Sequence, residues 1–145
     1  MRRTGSIVLV LCAVLTIGCA SSNWSLYKNR VTGFRMEYPS EWSIVYEDKD
    51  RGVLNVSSIS LEKYANGGLP PAGTMEISVV KGACMEPSED FLRVYLVEDG
   101  KGPSFLRKRA CFDGYRITLS IWEFDLDKNK KKLLEKILKS FRATN

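Results

Sequence analysis

Histidine is missing from all 145 residues. That excludes Ser-His-Asp and Cys-His catalysis, imidazole metal ligands, and imidazole as a general base near neutral pH. Any enzyme built on this chain must use carboxylates, lysine or tyrosine. Cysteine is scarce: Cys12, Cys19, Cys84 and Cys111, none at the paired spacing of a zinc site. There is no phosphate-binding glycine loop, no nucleophile motif and no internal repeat. Neither charge dominates: the net charge is +5, too modest to point to nucleic acid. The apolar stretch from Ser6 to Gly18 covers 13 residues, short of the about 20 that a spanning helix needs. No cofactor and no metal are expected.

What is present begins with Met1-Arg2-Arg3, a basic head ahead of that apolar stretch. This is the form of a secretory signal peptide. It ends in Leu15-Thr16-Ile17-Gly18-Cys19, which resembles the bacterial lipobox. In that family the cysteine sulfur receives a diacylglycerol and cleavage follows on its amino side. The resemblance implies lipidation of Cys19, with residues 1–18 as signal and 19–24 as a lipidated tether rich in Ser and Asn. Cys12 is expected to be only a small hydrophobe. Several acyl chains are needed for stable anchoring, because one chain holds only marginally. The resemblance therefore places the chain outside the cytoplasm, lipid-anchored in a bacterial envelope and facing the periplasm or outer surface. Ala20, rather than Asp, after the anchor is compatible with forwarding to an outer membrane where the cell has one.

Removing residues 1–18 leaves 127 residues with a net charge of +3, since Arg2 and Arg3 leave too. One domain, residues 25–145, is expected. Outside the cytoplasm the thiols of Cys84 and Cys111 tend to oxidise. A disulfide between them and two buried free thiols both fit the sequence.

Alternation in "GFRMEYPSEWSIVYED" predicts two strands. Phe34, Met36 and Tyr38 lie on one face of the first, and Trp42, Ile44 and Tyr46 on one face of the second. Pro39 suits the turn between them. A bulge at Ser57-Ser58 is expected, to keep Leu54, Val56, Ile59 and Leu61 on one side. Glu62 to Thr74 is a Gly- and Pro-rich loop, and Met75, Ile77 and Val79 begin another strand. Pro87-Ser88 followed by Phe91, Leu92, Tyr95 and Leu96 predicts a helix. "SFLRKRACF" suggests a basic edge strand. Asp113-Gly114 is a turn, and Tyr115, Ile117, Leu119 and Ile121 point inward from a strong strand. Asp127 starts a closing helix with Leu133, Leu134, Ile137, Leu138 and Phe141 as its apolar stripe. Seven Lys or Arg lie between Lys128 and Arg142. They form a solvated face or, alternatively, a contact with anionic lipid headgroups. The expected class is α+β, an antiparallel sheet flanked by helices.

The stretch "YKNRVTGFRMEYPSEW" resembles the entry hairpin of PsbP-like proteins and the related DcrB-like bacterial lipoproteins. Tyr27, Asn29, Gly33, Phe34, Tyr38, Pro39 and Trp42 carry the likeness. "LLEKILKSFR", with Ser140 and Phe141, is similar to that family's closing helix. The resemblance implies a PsbP-like α/β/α sandwich. It also implies a trimmed hairpin or helix between Glu62 and Ser104, which is short for the family. Photosynthetic members are accessory subunits of an oxygen-evolving complex, and their metal sites match nothing here residue by residue.

The expected function is a non-enzymatic binding or assembly-support module for another envelope protein, attached to the membrane through the lipid on Cys19. The alternative is binding of a small molecule or lipid in a pocket between sheet and helix. An enzyme would have to draw on Glu37, Glu41, Glu47 and Asp48, which are more simply the wet face and turns of the first strands.

Overall fold

A computed structural model describes residues 23–60, 68–84, 86–96 and 102–144. The signal segment, Cys19 and the start of the tether lie outside the described residues. The elements in chain order are β1 (Trp24–Asn29), β2 (Phe34–Pro39), β3 (Ser43–Asp48), β4 (Val53–Ser57), β5 (Met75–Lys81), β6 (Leu92–Tyr95), β7 (Ser104–Phe112), β8 (Tyr115–Ile121), α1 (Lys128–Ser140) and β9 (Arg142–Ala143).

Two antiparallel sheets share one core. The smaller has the order β1-β2-β9 and the larger β3-β4-β5-β8-β7-β6. In β2, Phe34 and Met36 are buried while Arg35 and Glu37 are exposed, the period-two pattern that one wet face imposes. The β1–β2 turn is held by Asn29, itself buried. Its side-chain oxygen accepts from Val31 N–H at 2.9 Å and Thr32 N–H at 3.1 Å, and its amide donates to Lys49 O at 3.0 Å. Gly33 closes the turn at φ +78°, and a Cβ there would lie 2.2 Å from Thr144 O. Only glycine lets the chain end run back alongside β2.

The larger sheet turns one face inward. Leu54, Val56, Ile77, Val79, Ile117, Leu119 and Ile121 are at most 1% exposed. α1 lies over them with Leu134 and Ile137 fully buried. Asp127 caps it, accepting from Asn129 N–H at 2.7 Å and Lys130 N–H at 3.1 Å, and these bonds hold its carboxyl below the usual carboxylate range. Phe34 stacks on Phe141 with ring centres 5.6 Å apart and meets Tyr27 and Tyr115 at 5.4 and 5.2 Å. This aromatic cluster joins the small sheet, the large sheet and the end of α1.

The α/β/α sandwich with flanking helices is corrected by this architecture. Among the described residues there is one helix, and it covers one face of the large sheet. The helix expected after Pro87 is strand β6. Leu92 faces out at 61% exposure, while Arg93 turns inward, stacks 3.9 Å from the Phe124 ring centre and donates to Phe124 O. Pairing with β7 satisfies the backbone there, so tertiary contacts override the i, i+4 spacing. That makes β6 the edge and β7 an interior strand, reversing the expectation for "SFLRKRACF".

The two strands around Pro39 belong to different sheets, not to one hairpin. The bulge falls at Val45, where the register steps from Ile44↔Val56 to Tyr46↔Asn55, instead of at Ser57-Ser58. It sends Ile44 and Tyr46 to opposite faces, at 39% and 50% exposure. Trp24, assigned to the tether, is the first residue of β1, half-buried against the core with Lys136 Nζ 4.2 Å above its ring.

Candidate functional site

The face of the large sheet turned away from α1 has no helix over it among the described residues. Strand register places its side chains. Asn55, Ser78, Thr118 and Arg109 form one row across β4, β5, β8 and β7, and Ser57, Glu76, Ser120 and Arg107 form the next. The pleat directs these side chains away from the core under α1; Ser57 and Ser120 are nonetheless buried and the other six are partly exposed. A cavity of about 120 Å³ opens between β4, β5 and β8. The Asn55 side-chain oxygen in its lining is shielded from solvent and has no hydrogen-bond partner among the described residues. Glu76 accepts from Trp122 Nε1 at 3.0 Å, and the Trp122 ring stacks on Phe105 at 4.8 Å.

Beyond β7, residues 88–92 run along the same edge. Cys84 and Cys111 are joined, with Cα atoms 5.7 Å apart. Ser88 and Arg109 exchange two bonds of 3.0 Å, Ser88 N–H to Arg109 O and Arg109 N–H to Ser88 Oγ. Farther along, Lys131 pairs with Asp90 at 2.7 Å. That hydrogen bond lowers the Asp90 pKa and raises that of Lys131. It ties the Phe91 loop to α1.

The signature residues of the entry hairpin sit in the core and turns, not on this face. Phe34 is 1% exposed and Trp42 7%. Trp42 N–H donates to Pro39 O at 3.0 Å, so the Pro39 turn carries the chain from one sheet to the other. Tyr27 OH donates to Glu47 at 2.7 Å. Burial first, and that bond second, push the phenol pKa upward. Tyr38 is raised by burial and then by the Glu47 charge. Ser140 extends the small sheet: its hydroxyl accepts from Glu37 N–H at 2.9 Å and lies 3.2 Å from Glu37 O, standing in just before β9 begins.

Of the four acids set aside for an enzyme, Glu47 is engaged by Tyr27 and Lys49, and Asp48 by Arg51. Among the described residues no group of three or more Cys, Asp or Glu is placed to hold a metal ion. No helix among them is long and apolar enough to cross a membrane. The outer face itself was hidden in the sequence, since hydroxyls alternating with aliphatics look like any solvated strand. The alternating arginines of "LRKRA" were its one visible signal.

The class these observations define is a β-rich, two-sheet domain with one face of the large sheet packed under α1 and the other polar and without a helix over it among the described residues. Compared with protein-family models, curated proteins and solved structures, the chain matches none.

Proposed function

We propose that this chain is an exported lipoprotein, acylated on Cys19, whose domain is a non-enzymatic binding or assembly-support module for another protein of the bacterial envelope. The lipobox-like Leu15 to Cys19 supports the anchor. The observation that supports the binding role is the polar outer face of the large sheet, which no helix covers among the described residues. A packed sheet normally buries one side, and here the other side carries hydroxyls, an amide and charges in ordered rows. Such a surface recognises a partner by hydrogen bonds and charge rather than by a deep apolar pocket.

Ligand binding between sheet and helix has less support, because Leu134, Ile137 and the inner strands fill that space. The cavities on other faces measure about 120 to 300 Å³, at or below the about 300–1,000 Å³ of small-molecule sites. Crosslinking in intact cells followed by pull-down tests the proposal. One abundant envelope protein is the expected capture. Co-purified lipid or small molecule with no protein partner would overturn it.

A further inference from the structure

We propose that Arg107 and Arg109 form a docking site for a carboxylate side chain on an extended segment of a partner protein. This deepens the binding-module reading and rests on it. The two arginines stand two residues apart on β7, so both side chains leave the sheet on its open face. Register sets Arg107 between Ser120 of β8 and Leu92 of β6, and Arg109 beside Thr118. The disulfide and the two Ser88–Arg109 bonds hold the neighbouring segment against them. Between lies a cavity of about 150 Å³ lined by Glu86, Pro87, Ser88, Leu92 and the two arginines.

Charge decides what fits. Arg109 Nη1 lies 3.5 Å from Glu86 Oε2, a carboxylate on an 85% exposed side chain. Among the described residues Arg107 has no carboxylate within ion-pair distance. Arg107 is half-buried, and burial first and the Arg109 charge second lower its pKa, against the opposing pull of the Glu86 charge. Glu76, the next acid on this face, is two strands away across Ser120, roughly 10 Å by strand spacing, and is bonded to Trp122. Two cations against one carboxylate leave a single positive charge. One further carboxylate neutralises it, whereas a phosphate dianion would leave the site negative. The guanidinium fork binds carboxylate oxygens in pairs. Leu92, 61% exposed beside Arg107, offers contact to an apolar residue next to the acid. The favoured ligand is therefore an acidic residue flanked by an apolar one.

The test uses the full-length protein in zwitterionic micelles and fluorescence anisotropy of a labelled peptide of alternating Glu and Leu. Binding is expected to weaken about tenfold or more for Arg107→Gln, and likewise for a Gln-for-Glu peptide. Arg107→Lys keeps the charge and loses the fork, so it should also weaken binding. Arg116→Gln, on the same face opposite Cys111, should leave it unchanged. Thermal unfolding of each variant separates lost binding from lost fold. Equal peptide affinity for wild type and Arg107→Gln would overturn the site. So would displacement of the peptide by millimolar phosphate or by phosphatidylglycerol vesicles. A cellular partner captured equally by wild type and Arg107→Gln would also remove this site, while leaving the binding module intact.

Discussion

Replacing Gly33 by alanine separates two costs that are usually mixed. The residue sits at φ +78°, and an added Cβ would meet Thr144 O at 2.2 Å. Gly114, in the β7–β8 turn, has nearly the same φ of +83° with nothing within 4 Å of the added carbon. Each alanine therefore carries the left-handed strain of about 1–2 kcal/mol. Only Gly33→Ala must also push the chain end away. That breaks the 2.8 Å bond from Thr144 N–H to Gly33 O, worth about 1 kcal/mol, and loosens β9 where Ala143 packs on the core. The total is roughly 2–3 kcal/mol or more, against roughly 1–2 for Gly114→Ala. For a domain of this size each kcal/mol moves the unfolding midpoint by about 4 °C. The shared strain cancels, so circular dichroism melts should separate the two variants by roughly 4 °C or more. Equal shifts would show that the chain end does not lie against Gly33, and the small sheet as described would be wrong.

Trp42→Ala should cost about 3–5 kcal/mol by opening a cavity in the core and should lower the amount of protein in the envelope; an unchanged melt would make Trp42 a contact residue. Cys19→Ser should give an unacylated protein with its signal uncut or cut elsewhere, and mass spectrometry of the wild-type N-terminus should find an acylated cysteine; a free terminus there would remove the anchor. Unfolded without reductant, the protein should show no thiol labelling at Cys84 or Cys111, and labelling of both would reject their bond.

How much of this was legible in the sequence depended on what held each segment. Strand β8 and helix α1 announced themselves because each buries a full apolar face: Ile117, Leu119 and Ile121 for one, Leu134 and Ile137 for the other. Asp113-Gly114 specified its turn through positive φ at both residues, 43° and 83°. Segment 87–96 misled because its apolar spacing fits a helix, while the free edge of β7 rewards a strand. Ile44 and Tyr46 misled because a bulge at Val45 breaks the parity that alternation assumes. The join between sheets at Pro39 could not be read locally. A turn reverses the chain equally well within one sheet or between two, and here β9, more than a hundred residues later, claims the other side of β2. The outer face was hidden for the same reason: its rows combine residues from four strands.

On the proposed function, the outer face of the large sheet meets a protein partner. A photo-crosslinking amino acid placed at Thr118, in the middle of that face, tests it in living cells, with Lys139 on the exposed side of α1 as the comparison. A single envelope protein should crosslink through position 118 and none through 139. Crosslinks through 139 alone, or none through 118 with the protein folded and membrane-bound, would contradict it.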